Sequence, residues 1–238
     1  MKNLFPAILV SLAITSQLII AQTKPQQIED LTDSSRALQF QIGSNFSLSS
    51  FQGSVISYKH HFSRDKALRI GLSVYVDGTK SDGSSEMFTV DRDSLVTGSQ
   101  NAAKRKENSI QLNTQFIWYL NPGEKLLIYG GAGPFLTYGY GKVNTENKSN
   151  DPFIKDKSLN EQKSSTWSPG VKGEIGVEWF AAQNISLLAE YGLMASYSWT
   201  ETEITSTYPL YVQKSNNKLE GWNVRNDTVK FGVTLYFQ

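Results

Sequence analysis

The sequence contains no cysteine. Disulfides, thiolate metal sites and cysteine-linked lipid anchors are thereby excluded, and the fold must hold by other means. Histidine is scarce: His60 and His61 stand alone, too few with no thiolate beside them for a metal centre. Charge of one sign is lacking as well. The 23 basic residues include Lys2, which lies in a leader-like segment; the rest of the chain carries 22 basic and 22 acidic residues, so no bulk affinity for nucleic acid is implied. Beyond residue 21 no apolar run approaches the ~20 residues that a membrane-spanning helix needs.

What the sequence does have is aromatic residues, 12% of the total, together with 18 glycines, a balance that favours strands over a helical bundle. The 238 residues suit one large β domain. Residues 1–21 differ in kind from the rest: Lys2 gives a positive start, Leu4 to Ile20 is mostly apolar, and Ala21 precedes a polar run from Gln22. This is the pattern of a secretory signal with cleavage near Ala21. An N-terminal membrane anchor is the competing reading, weakened by Ser11, Thr15, Ser16 and Gln17 within a short apolar stretch. Residues 22–35 are then expected as a short periplasmic segment.

Period-two alternation recurs through the rest of the chain. In ALQFQIGSNFSL, Leu38, Phe40, Ile42, Phe46 and Leu48 share one parity, and Gln39, Gln41, Gly43, Asn45 and Ser47 the other. In ALRIGLSVYVD, Leu68, Ile70, Leu72, Val74 and Val76 alternate with Arg69, Gly71, Ser73, Tyr75 and Asp77. Residues 53–62, 109–120, 126–140, 170–180, 185–199 and 224–237 read in the same way, which makes eight expected strands. Most are longer than the ~5 to 6 residues of a soluble strand and reach the ~9 to 11 of a membrane-spanning one. The parity of 126–140 is unclear, because YGGAGPF places glycine on both faces.

The connections alternate in length. SRDK, NPGEK and AAQN are tight turns, whereas 79–107, 141–166 and 200–223 are long polar stretches; only SSFQG is short on their side. Short turns on one rim and long loops on the other are the outer-membrane arrangement, with the long loops outside the cell. A lipocalin-like soluble barrel has the same period with its apolar residues inside. Long strands, unequal loops and aromatics at strand ends argue against it. Trp118, Trp179, Phe62 and Phe237 fall beside short turns, and Trp199, Tyr197 and Tyr140 beside long loops, as two interfacial girdles require. The expected fold is therefore an all-β, eight-stranded antiparallel up-and-down transmembrane β-barrel over residues 36–238.

The chain closes on KFGVTLYFQ, where Lys230, Gly232, Leu235 and Phe237 resemble the C-terminal assembly signal of outer-membrane barrels: a polar residue, a glycine, then alternating hydrophobics ending in an aromatic. Gln238 beyond the aromatic departs from that pattern. Over residues 36–238 the chain resembles the small eight-stranded barrels of the OmpA and OmpX type. The resemblance implies a bacterial outer membrane as location, its lipids as surroundings and the barrel-assembly machinery as a partner during biogenesis.

The inward parity contains Lys59, Arg69, Lys172 and Lys230 against Asp77, Glu174, Glu178 and Glu190, four charges of each sign. An eight-stranded interior is about as wide as its own side chains, and buried charges there must pair. A lumen plugged by paired charges is expected, with Glu190 and Lys230 as one pair, and an ion path along the charges is the alternative. Both histidines precede the short turn at Ser63, which places them on the periplasmic rim, His60 outward and His61 inward. Lipid-modifying barrels group a histidine, a serine and a carboxylate near the outer leaflet, so neither catalysis nor a cofactor is expected here.

The long loops are the expected carriers of function. The second runs from acidic (Glu86, Asp91, Asp93) to basic (Lys104, Arg105, Lys106), with Asp77 and Asp82 too sparse for a calcium loop. The fourth carries Tyr208, Leu210 and Tyr211 around Pro209, a candidate contact for an extracellular ligand or envelope protein. The expected function is a non-catalytic outer-membrane barrel that binds through its loops or stabilises the envelope. The alternatives are a small component of a secretion or transport assembly and, behind it, a lipid-modifying enzyme or a narrow channel.

Overall fold

The computed structural model describes residues 35–88, 96–120, 125–149 and 157–237. The expected leader, nearly all of the 22–35 segment, Asp91, Asp93, most of the NPGEK turn and Gln238 lie outside the described residues. Nine strand segments follow one another: β1 (Arg36–Ser47), β2 (Gln52–Ser63), β3 (Lys66–Phe88), β4 (Val96–Tyr119), β5 (Leu126–Ser149), β6 (Lys157–Ala182), β7 (Ile185–Thr207), β8 (Val212–Asn226) and β9 (Lys230–Phe237). Each pairs antiparallel with its sequence neighbour as far as β8. β9 pairs with β1 on one side and with β7 on the other, which closes the ring. Because β8 and β9 both lie along β7, they are the upper and lower parts of one stave, and the barrel has eight staves.

That eighth stave carries a bulge. Asn226 is level with Leu193, whereas Lys230 is level with Glu190, so the stave holds one residue more than β7 between those points. Asp227 N donates to Gly192 O at 2.8 Å within it. An extra residue reverses which parity faces inward. Lys230 and Thr234 are buried below the bulge, whereas above it Arg225 is level with the buried Met194.

Elsewhere the alternation places polar residues inside and apolar ones outside. Gln39, Gln41, Ser57, Lys59, Arg69, Gln115, Glu174 and Glu178 are buried, while Leu38, Phe40, Ile56, Ile70, Leu72, Leu112 and Ile175 are exposed. A soluble barrel would show the reverse. In β5, Leu127, Tyr129, Gly131 and Phe135 point inward and Ile128 and Leu136 outward. The inward Tyr129 ring lies over its register partner Gly176, where a Cβ would stand 2.4 Å from that ring. Beside it the β4–β5 ladder lapses between Asn113↔Phe135 and Phe116↔Ala132. Pro134 has no N–H to give there, and Gly133 comes so close to Thr114 O that a Cβ would lie 1.9 Å from it.

Two aromatic belts bound the apolar exterior. One holds Phe62, Phe116 and Trp118, with ring centroids 6.4 and 4.7 Å apart in succession, and Trp179 and Phe237 on the same rim. The other holds Tyr138 with Trp167 (4.6 Å) and Tyr197 with Trp199 (4.9 Å) and Trp222 (5.2 Å). Trp167 and Trp179 stand on the one strand β6, twelve residues apart. At ~3.3 Å per residue and a tilt of about 40°, the belts are about 30 Å apart in height, the thickness of a bilayer core. This is a transmembrane barrel.

The wall does not stop at the upper belt. Strands β3 to β7 run 23, 24, 24, 26 and 23 residues, far beyond the expected spans. The stretches expected as loops are largely paired strand: Asp77–Phe88 is in register with Val96–Glu107, and Thr200–Thr207 with Val212–Leu219. Their polarity hid them, because a strand wetted on both faces shows no apolar parity while its backbone still gains a full ladder. β1 and β2 end instead in a turn at residues 48–51, where Phe51 takes a positive φ of 54°. Six staves thus rise above two.

Candidate functional site

The lumen holds three stacked layers of charge. In the lowest, Lys59 of β2 donates to both Glu178 oxygens of β6 at 3.0 and 2.9 Å. Three hydroxyls also donate to Glu178: Tyr119 (2.9 Å), Tyr236 (2.8 Å) and Ser186. A carboxylate with so many donors is tolerable out of water, and Lys59, which also donates to the Tyr119 hydroxyl at 3.0 Å, is its counter-ion. His61 stacks on Tyr119 at 5.4 Å, and Ala67, Ile117, Leu127, Tyr129 and Phe180 pack with these rings into an apolar cluster.

The middle layer centres on Arg69 of β3. Its guanidinium donates to Glu190 Oε2 at 2.8 Å, pairs with Glu174, and gives two hydrogen bonds to Gln115 Oε1 at 3.0 and 2.6 Å. The Tyr129 hydroxyl donates to the same Glu190 oxygen at 2.9 Å. Above it Lys172 bridges Glu174 (2.8 Å) and Asp227 (2.9 Å), and Lys230 pairs with Asp227.

The structure thus brings Lys59, Arg69, Lys172, Glu174, Glu178, Glu190 and Lys230 into one interior network. It does not bring Asp77 there. Asp77 stands higher in β3, where the Tyr75 hydroxyl donates to it at 3.3 Å, level with Glu107 at the base of the projecting wall. The fourth acid is Asp227, which an unbroken alternation through 224–237 assigns to the outer face. The bulge turns it inward. The same bulge changes the partners: Glu190 and Lys230 are level across β7 and β9, yet Lys230 turns to Asp227 and Glu190 serves Arg69.

Above these layers the lumen opens into a cavity of about 370 Å³ facing the tall rim, lined by Gln41, Gln115, Glu190, Arg225 and Asp227 among others. His60 faces outward with its ring edge-on to Phe62 at 5.1 Å, and His61 is buried. Among those residues there is no group of three or more metal-ligating side chains.

Of the C-terminal pattern, Lys230 points inward, and Leu235 and Phe237 outward, on a strand paired along both edges. At the far end, the β7–β8 hairpin turns through Tyr208 and Tyr211, whose rings stack at 4.6 Å while Tyr208 N donates to Tyr211 O; Leu210 between them is 95% exposed. The walls below that tip carry ion pairs both along and across β5 and β6. Glu161 lies 2.7 Å from Lys163 and 3.2 Å from Lys142, and Glu146 3.0 Å from Lys157 and 3.3 Å from Lys148. Hydrogen bonds from these lysines hold both carboxyls below the usual glutamate value.

No protein-family model and no curated protein matches the chain. Similar solved structures include the crystal structure of CarO of Acinetobacter baumannii, at 12% identity and a TM-score of 0.36, covering 87% of this chain and 98% of that one. The crystal structure of CarO2 of the same organism is 12% identical with a TM-score of 0.38, covering 89% of this chain and all of that one. At this distance the likenesses assign no residue a role.

Proposed function

We propose that this chain is an integral protein of a bacterial outer membrane, a non-catalytic barrel without a diffusion pore that works through the surface it raises outside the cell. The observation that carries the reading is the pairing of an apolar exterior, about 30 Å between aromatic belts, with an interior of mutually neutralised charge. Lipid satisfies the first and excludes water as its surroundings. Two charge layers and an aromatic cluster fill the lower lumen, which leaves no continuous path for a hydrated solute. The eight staves accord with the resemblance to OmpA- and OmpX-type barrels, and β9 is the segment for the assembly machinery to read before the ring closes.

The raised wall is the binding surface. Above the membrane it is an open sheet among the described residues, with β3 unpaired there on one edge beyond Val76 and β8 on the other from Val212 to Asn226. Unpaired edges present N–H and C=O groups to an extended strand of a partner. A permanent envelope partner there makes the chain a component of a larger assembly; a transient one makes it a receptor or adhesin. Crosslinking in intact cells, followed by mass spectrometry of the outer-membrane fraction, separates the two. Liposomes carrying the purified protein are expected to exclude small sugars. Swelling at the rate of a general porin, or recovery of the protein in the soluble fraction of cells, defeats the proposal.

A further inference from the structure

We propose that the outer face of β3, β4 and β5 binds the phosphorylated headgroup of an outer-leaflet lipid through Lys80, Lys104, Lys106 and Lys142. The site presupposes the bilayer inferred above.

Parity fixes where these lysines point. The β3–β4 and β4–β5 ladders run from the membrane into the raised wall without a shift of register. The lipid-facing parity of Val74 and Val76 on β3, Ile110 and Leu112 on β4 and Leu136 on β5 is therefore continued upward by the four lysines. Lys80, Lys104 and Lys106 are exposed.

Height places them among headgroups. Lys104 and Lys106 stand twelve residues above Phe116 and Trp118 of the lower belt, the separation that Trp167 has from Trp179 on β6. They occupy on β4 the level of the upper belt, about 30 Å above the lower one. That belt, formed by Tyr138, Trp167, Trp199 and Trp222, lies on β5 to β8, and neither β3 nor β4 adds an outward aromatic at this height. Lysines complete the collar on that side.

Their charge is not answered within the chain. Lys80 is directly opposite Lys104, and Lys106 directly opposite Lys142. Like charges facing each other across strands destabilise a sheet. Glu161 pairs with Lys142 at 3.2 Å but also with Lys163, whereas Lys80, Lys104 and Lys106 form no ion pair with any described carboxylate. The neighbouring Glu107 has the inward parity and accepts from Arg105 at 2.8 Å.

A phosphate presents several oxygens to several ammonium groups at once. Directly below the lysines, Val74, Val76, Ile110 and Leu112 offer exposed aliphatic surface to the acyl chains. On β7 and β8 the corresponding height carries Glu201, Glu203 and Glu220 against Lys218, which disfavours phosphate there. The anionic lipid is thus held on one side of the barrel.

The test is electron spin resonance of the full chain reconstituted in phosphatidylcholine vesicles, with spin-labelled phosphatidic acid or phosphatidylcholine as the probe. Lipid touching the barrel is motionally restricted, and phosphatidic acid should be enriched severalfold in that fraction. Lys80→Gln, Lys104→Gln and Lys106→Gln together should remove most of the enrichment, while Lys214→Gln with Lys218→Gln on β8 should leave it unchanged. Inorganic phosphate should displace no more lipid than sodium chloride of equal ionic strength, which separates a lipid site from one for the free anion. Retention of the folded form on unheated gels guards each variant against loss of the barrel. Restricted phosphatidylcholine without enrichment of phosphatidic acid, enrichment that survives the triple substitution, equal loss in the β8 variant, or specific displacement by inorganic phosphate overturns the site. Absence of any restricted lipid overturns the bilayer reading with it.

Discussion

The Lys172 ammonium lies 2.9 Å from the Asp227 carboxylate, although β7 separates their strands and an unbroken alternation sends Asp227 to the lipid side. A one-residue bulge makes the contact. It lets a single carboxylate serve two lysines, Lys172 and Lys230, that otherwise repel each other within the lumen.

Asp227→Asn should therefore be costly. Lys172 keeps Glu174 but Lys230 is left in the lumen without its ion-pair partner, and breaking a buried pair costs about 3 to 5 kcal/mol. Urea unfolding in micelles, followed by tryptophan fluorescence, is expected to show that loss, with much of it restored when Lys230→Met is added. An unshifted midpoint in the single variant removes Asp227 from the network.

The lowest layer makes a contrasting case. Glu178→Leu alone strands Lys59, and Lys59→Met alone strands Glu178, so each should cost several kcal/mol by the same argument. The double variant strands no charge but leaves the Tyr119, Tyr236 and Ser186 hydroxyls without their acceptor, so its loss should be well below the sum of the two single losses without returning to wild type. Additive losses in the double variant, read from the same unfolding curves, contradict a pairwise interaction.

Acid should loosen the raised wall before the barrel. Glu161 and Glu146 are held below the usual glutamate value by hydrogen bonds from Lys163 and Lys142 and from Lys157 and Lys148. A depressed folded value means stabilisation present above the unfolded value and lost as pH falls through the folded one. Hydrogen exchange of residues 142–148 and 157–163, corrected for its intrinsic pH dependence, should accelerate below the ordinary carboxylate range while 126–136 stays protected. Both groups are partly exposed, so added salt should act in the same direction.

The stacked tip supplies a fourth expectation. Tyr208→Ser with Tyr211→Ser removes the stacked ring pair from the β7–β8 turn, which lies far from the lumen, and leaves Leu210 in place. The barrel should fold with unchanged heat-modifiable migration, while recovery of crosslinked envelope partners falls severalfold. Undiminished crosslinking assigns recognition to the open strand edges instead.

Within the membrane most of the architecture was legible. Leu68 to Val76 against Arg69 to Tyr75 states both the strand and its faces, because in a lipid-facing wall every second side chain has a different solvent. Seven of the eight interior charges were legible for the same reason. Asp227 was not, since a bulge reverses parity without leaving a mark in composition, and neither was the choice of partners, which depends on where long side chains meet across a closed ring. The polar stretches misled in another way. Hydrogen bonding along Asp77–Phe88 and Val96–Glu107 is a backbone property that polar side chains neither advertise nor prevent.

The sequence by itself determined the period, the number of staves and which chemistry faces lipid, because burial in a barrel wall is dictated residue by residue. Closure decided the rest. Only the ring brings β2 to β6 and β3 to β7 across the lumen and assigns Lys59 to Glu178 and Arg69 to Glu190. Contacts between staves far apart in sequence follow from register and shear, and no local pattern of residues encodes those.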